Sequence, residues 1–123
     1  MSEHTEQAAL FEWAAWNQAK DAALNMLYSV PNGGKRDKIT AARMKREGQK
    51  AGIPDVFLPV ARGGYHGLYL ELKIGRNKTS AEQDAWLARL AGEGYAVTVA
   101  YGWQQAARVV VEYLGHTPAD FGL

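Results

Sequence analysis

Three ionised residues interrupt two runs that otherwise read as core strands. Asp55 lies in G-I-P-D-V-F-L-P-V, residues 52–60, while Glu71 and Lys73 lie in L-Y-L-E-L-K-I, residues 68–74. Between the runs stands A-R-G-G-Y-H-G, too short for a helical crossover and rich in glycine, which predicts a β-hairpin. A turn centred on Gly63 sets Asp55 directly opposite Glu71, eight residues to either side. Opposed Cβ atoms on antiparallel strands lie about 4.5–5.5 Å apart, where two carboxylates repel unless a cation sits between them. A divalent metal ion is the natural occupant. Alternation along the strand puts Glu71 and Lys73 on one face and Leu70, Leu72 and Ile74 on the other. Magnesium takes oxygen ligands at about 2.0–2.1 Å and keeps several waters, so two carboxylates and one backbone carbonyl are a sufficient protein share. Such an ion polarises a phosphoryl oxygen and acidifies a bound water, and a nearby ammonium stabilises developing charge or helps to deprotonate the nucleophile. This is equipment for phosphodiester hydrolysis. The same three residues also fit an ion-pair cluster on a solvated face, and the spacing alone does not choose between the two.

The chain that must position these groups has 123 residues, enough for one domain with a real core and too few for two. No cysteine is present, which excludes disulfides, thiolate nucleophiles and cysteine-ligated metal centres and permits a reducing compartment. The start, M-S-E-H-T-E-Q, is polar and acidic, unlike a signal peptide, and no apolar run approaches the ~20 residues of a membrane span. A soluble protein of the cytoplasm is expected, with no membrane partner. The net charge of +1 hides an asymmetry: Lys35, Arg36, Lys38, Arg43, Lys45, Arg46 and Lys50 place half of the 14 cations between residues 35 and 50. Such a block suits a polyanion, because each phosphate contact releases counterions; a solvated helix face is the plain alternative.

Helical spacing of Leu10, Trp13, Ala14 and Asn17 predicts an amphipathic helix over residues 5–19, its tryptophans in the core. Alternation from Leu24 to Val30 suggests a strand leading into P-N-G-G, where Asn32, Gly33 and Gly34 turn the chain. A basic helix over 38–47 ends at Gly48, and Pro54 suits the first position of a strand. Ser80 and Gln83 form a capping-box pair ahead of the apolar face Ala85, Trp86, Leu87, Leu90 and Ala91. A strand over 95–101 and a helix over 104–114 complete the order, followed by a loose tail over 115–123. This alternation predicts an α/β or α+β domain, a sheet covered by helices. G-G-K at 33–35 and G-E-G at 92–94 lack the remaining residues of phosphate-loop and dinucleotide motifs, and His4, His66 and His116 have no ligand spacing.

Taken together, P-N-G-G (31–34), K-R-E-G (45–48), G-I-P-D (52–55), Y-H-G-L-Y-L-E-L-K (65–73), S-A-E-Q-D-A-W (80–86) and G-Y-A-V-T-V (94–99) resemble the VRR-NUC domain, a branch of the PD-(D/E)xK nuclease superfamily. The resemblance runs from about residue 3 to residue 114 and is to stand-alone members of phage or bacterial type. It implies a single nuclease domain over residues 1–123, with a restriction-endonuclease-like fold: a central mixed β-sheet flanked by helices. It also implies a Mg²⁺- or Mn²⁺-dependent site in which Asp55, Glu71 and Lys73 match the catalytic trio and the Leu72 carbonyl is a backbone ligand. Glu6 matches the glutamate that the superfamily often adds from its first helix, with Glu3 the second choice. Gln83 falls where many relatives carry a glutamine near the site, although its place in the capping box would explain it equally well. Stand-alone members resemble Holliday-junction resolvases acting as homodimers, so the resemblance implies branched DNA as partner. Duplex arms would be held through phosphates by Asn32, Lys35, Arg36, Lys38, Arg43, Lys45 and Arg46. A nuclease of flaps or duplex ends, and a non-catalytic DNA-binding module, are the alternatives.

Overall fold

The computed structural model describes residues 2–31 and 37–123. The charged hairpin forms its centre. Strands β2 (Val56–Leu58) and β3 (Leu68–Lys73) pair antiparallel in the register Val56↔Leu70, Phe57↔Tyr69, Leu58↔Leu68, which is the register of a turn centred on Gly63. The tip itself is displaced by half a residue: Arg62 pairs with Tyr65, and Gly63 and Gly64 occupy the turn with φ of 58° and 86°. Two consecutive positive φ values are the mark of a hairpin turn whose twist matches its strands, and only glycine adopts them without strain. The extra residue on the β2 side is absorbed between Leu58 and Arg62, where the Val60 N–H folds back onto the Leu58 carbonyl at 2.9 Å.

Around this hairpin the described residues build a four-stranded mixed sheet in the order β1-β2-β3-β4. Strand β1 (Tyr28–Ser29) is antiparallel to β2, and β4 (Ala96–Tyr101) is parallel to β3, as a connection through helix α3 (Ala81–Gly92) requires. Helices α1 (Glu3–Asn17) and α4 (Trp103–Tyr113) pack on each other and on the sheet face formed by Val56, Leu58, Leu68, Leu70, Leu72 and Ala100. Leu10, Trp13, Val110 and Val111 fill the space between. Each such side chain contributes about 1.5–3 kcal/mol on leaving water, so this layer holds the fold together. Helix α2 (Lys38–Arg46) buries no residue; Asp37 caps it by accepting the Thr40 N–H at 2.8 Å.

Three expectations are corrected. The strand expected from Leu24 to Val30 is a 3-10 turn (Ala22–Met26) followed by the two residues of β1. Asp21 caps that turn through the Ala23 N–H at 2.8 Å, and Leu24 and Leu27 are buried one turn apart while Met26 and Tyr28 stay half exposed. The alternation was a coincidence of composition. The tail is packed rather than loose: Phe121 is buried, its carbonyl accepts the Trp13 Nε1–H at 2.9 Å, and the Asp120 carbonyl accepts Lys20 Nζ at 2.6 Å. His116 Nε2 lies 2.8 Å from Asp21 Oδ2 and adds a further tie. Trp13 is core as expected, but Trp16 on the same helix is 83% exposed.

Candidate active site

Asp55 stands at the start of β2, immediately before Val56 and in register with Glu71 of β3. Its backbone carbonyl accepts the Val30 N–H at 2.7 Å, while its side-chain Oδ2 accepts the Leu72 N–H at 3.0 Å. That second bond shows that the peptide groups of Leu72 face the β2 side. Its carbonyl points the same way, as it must in a strand. The residue opposite Leu72 in this register is Pro54, buried and without an N–H to donate. The proline therefore frees the Leu72 carbonyl beside the Asp55 carboxylate. Sequence reading placed Pro54 at a strand start and missed this consequence, although the hairpin register was enough to find it.

Glu71 is 1% exposed and Lys73 8%, unusual for ionisable side chains. Glu71 Oε2 accepts Gln83 Nε2 at 3.0 Å, and Lys73 Nζ lies 3.8 Å from the same oxygen. Glu71 Oε1 is buried and has no hydrogen-bond partner among the described residues. Burial pushes the Glu71 carboxyl up to about 8, with the facing Asp55 carboxylate adding to the shift, Lys73 opposing it and Glu3 raising it further. Two acceptors face one another with no donor between them, so the pair needs either a shared proton or a cation. Among the described residues no group of three or more His, Cys, Asp or Glu side chains could hold a metal ion. The groups that could hold an ion here are two carboxylates and a carbonyl, a set that would suit a Mg²⁺- or Mn²⁺-like ion keeping most of its waters.

Gln83 closes the cap of α3 and also reaches Glu71. Its Oε1 accepts the Ser80 N–H at 2.9 Å and its N–H donates to Ser80 Oγ at 3.1 Å, closing the capping box of α3. With the carbonyl end held there, the amide end turns to Glu71. Gly52, at φ 89°, lets the loop leading to Asp55 pass against the Glu82 backbone, where an added Cβ would lie 2.9 Å from the carbonyl. The loop carrying Asp55 and the helix carrying Gln83 are thereby locked together.

Glu6 is buried, and its Oε1 accepts the Trp103 N–H at 3.1 Å, capping α4 from α1 where Gly102 has no side chain to do so. Glu3, one turn earlier, is the α1 carboxylate whose charge reaches Glu71. Lys38, Arg43, Lys45 and Arg46 are exposed on α2, with Arg43 3.7 Å from Glu47. Asn32, Lys35 and Arg36 lie outside the described residues. A groove of about 430 Å³ joins the end of α2 to one side of α3, lined by Lys45, Lys50, Glu82, Trp86 and Arg89. Arg89 lies over the Trp86 ring, 5.5 Å from its centroid. This grouping was hidden in the sequence, where Trp86 reads as part of an apolar helical face.

The VRR-NUC domain profile matches residues 2–104, from the first turn of α1 to the start of α4. A solved structure of a VRR_NUC domain protein is 30% identical and superposes with a TM-score of 0.79 over 94% of this chain and 89% of that one. No curated protein matches the chain. The mixed sheet, the flanking helices and the match across most of the length define a nuclease-type domain of restriction-endonuclease-like fold. The chain belongs to the VRR-NUC domain family.

Proposed function

We propose that the chain is a divalent-metal-dependent DNA endonuclease that hydrolyses phosphodiester bonds in branched DNA, four-way junctions foremost, and acts as a pair of identical chains. One observation carries the reading: a buried carboxylate oxygen, Glu71 Oε1, faces a second carboxylate and has no hydrogen-bond partner among the described residues. Asp55, Glu71 and the Leu72 carbonyl would hold Mg²⁺ or Mn²⁺, which when bound supplies a polarised phosphoryl oxygen and a water of lowered pKa. Gln83 holds Glu71 by Oε2 and leaves Oε1 free for this purpose. Lys73 stands on the same face of β3, its Nζ 3.8 Å from Glu71 Oε2, placed to stabilise the charge that develops on a phosphate. Neither α1 carboxylate makes a three-carboxylate group with Asp55 and Glu71 among the described residues, and one Glu6 oxygen is committed to the α4 cap. Exposed cations on α2 suit phosphate contacts that position a duplex without reading its sequence. Two symmetric nicks at a junction call for two sites related by a twofold axis, which a homodimer of one small chain supplies.

The test is to incubate the pure protein with matched four-way junction, flap and linear duplex, each in Mn²⁺ and in EDTA. The expected result is fastest cleavage of the junction and none in EDTA. Equal rates on all three substrates would sink junction preference and leave a general nuclease of flaps or ends. Binding without cleavage in every metal would make the chain a DNA-binding module.

A further inference from the structure

Among the described residues only β3 pairs with strand β4, which leaves β4 as an open edge of the sheet. The Ala96 N–H donates to the Gly67 carbonyl and the Gly102 N–H to the Lys73 carbonyl, each at 2.9 Å. Even-numbered residues of β4 therefore spend their peptide groups on β3, and odd-numbered residues turn theirs outward. Both ends of the outward row are closed from within the chain. Tyr95 N–H donates to the Leu90 carbonyl at 3.1 Å, and Tyr101 N–H donates to Gln105 Oε1 at 2.6 Å. Between them, the outward peptide groups of Val97 and Val99 have no hydrogen-bond partner among the described residues, and both side chains remain partly exposed. Natural sheets blunt such an edge with a charge, a proline or a bulge. The segment A-V-T-V-A, residues 96–100, contains no charge and no proline. The opposite edge, β1, is two residues long and runs through Val30 into Pro31.

The open window is also symmetric. Residues 96–100 read the same in both directions about Thr98, and the free peptide groups sit one residue to either side of it. We propose that this edge pairs antiparallel with the same edge of a second copy of the chain, with the twofold axis through Thr98, joining the two sheets into one. In that register Val97 and Val99 of one copy form hydrogen-bonded pairs with Val99 and Val97 of the other, so all outward groups in the window are satisfied. Thr98 faces its own counterpart at a non-hydrogen-bonded position, and Ala96 faces Ala100. Paired β-branched and threonine side chains are favourable across strands. A slip of two residues would set Val97 against Tyr101, whose N–H is already held by Gln105, so the window specifies one register. The inference rests on the two-copy reading above and supplies its surface.

Thr98→Cys tests it, because the chain has no other cysteine. Facing non-hydrogen-bonded positions bring Cβ atoms to about 4.5 Å, close enough for a disulfide with little movement. Mild oxidation with copper phenanthroline is expected to link nearly all of this variant into dimers, while Ala88→Cys on the exposed side of α3 stays unlinked. Val99→Lys, with its fold checked by circular dichroism, is expected to sediment at 13.5 kDa where the wild type sediments at twice that mass. A wild-type dimer that fails to link through Thr98→Cys and survives Val99→Lys overturns the edge and keeps the two-copy reading. A wild type that sediments only at 13.5 kDa overturns both.

Discussion

The two faces of β3 share one backbone and nearly the same depth, yet they do opposite work. Leu68, Leu70 and Leu72 are no more than 2% exposed and pack against Val56, Leu58 and the α1–α4 layer. Glu71 and Lys73, between and beyond them, are 1% and 8% exposed and meet Asp55 and Gln83 instead. Burial lowers the free energy of the first set and raises that of the second, because an ionised group loses its hydration unless partners replace it. Lys73 and Gln83 both lie near one oxygen of Glu71, and the other oxygen has no hydrogen-bond partner among the described residues. The polar face is thus held in place by the apolar one, and its unmet electrostatics are what a cation would relieve.

The largest expected effect breaks the polar face alone. Asp55→Asn keeps the shape and the acceptor for the Leu72 N–H, and removes the charge opposite Glu71. Cleavage of a four-way junction in Mn²⁺ is expected to fall by about 10³-fold or more, the scale seen when a preorganised electrostatic partner is lost. Binding of the same junction in EDTA, read by fluorescence anisotropy, should change little. A variant that still cuts within tenfold of wild type would remove Asp55 from the chemistry.

The apolar face gives the next contrast. Leu70→Ala is expected to destabilise the fold by about 2–5 kcal/mol, since it removes buried methyl groups and leaves a cavity between strands and helices. Glu71→Gln, next to it and equally buried, is expected to have the opposite sign in the absence of metal, because it replaces a carboxyl that is costly to ionise by a neutral amide. Urea unfolding of both variants in EDTA decides the matter; equal destabilisation would mean that Glu71 is held as firmly as the leucines.

A pH series sharpens the same comparison. The Glu71 carboxyl is raised from 4.5 to about 8, so between those values the folded chain holds a proton that the unfolded chain has released. Stability of the metal-free protein from this group is therefore fully present below 4.5 and is lost as pH rises towards about 8. Urea midpoints in EDTA should fall across that window, and the fall should vanish in Glu71→Gln. Added Mn²⁺ should stabilise the wild type increasingly over the same range, because binding expels the proton. A flat profile in EDTA would show that Lys73 already neutralises the pair.

Much of this was legible because hairpin register is arithmetic. Gly63 as centre put Asp55 opposite Glu71 without coordinates, and the half-residue displacement at the tip did no harm because the bulge before Arg62 absorbed it. The register of β2 and β3 is local, and so is the capping box that holds Gln83. What stayed hidden depends on contacts distant in the chain. Glu3 and Glu6 are one helical turn apart, and only the docking of α1 on α4 commits Glu6 to Trp103. The tail reads as polar and broken by Pro118 and Gly122, while its order comes from Trp13, about a hundred residues earlier. The short segment Ala22–Met26 alternates by chance, and its Asp21 cap outweighs strand propensity.

The smallest expected effect separates two jobs done by one side chain. Gln83→Ala removes both the reciprocal capping bond to Ser80 and the bond to Glu71 Oε2, whereas Ser80→Ala weakens the cap and leaves the Glu71 contact possible. Both variants should lose about 0.5–2 kcal/mol of stability, the usual value of an N-cap. Only Gln83→Ala should also lose about 10-fold or more in junction cleavage, because a carboxylate ligand freed from its supporting partner is no longer held for the ion. The split should fall on kcat and on the Mn²⁺ concentration needed for half-maximal rate, with KM for DNA unchanged. If Ser80→Ala slows cleavage as much as Gln83→Ala, then the cap itself aims the amide, and the rigid end of α3 is as much a part of the polar face as Glu71.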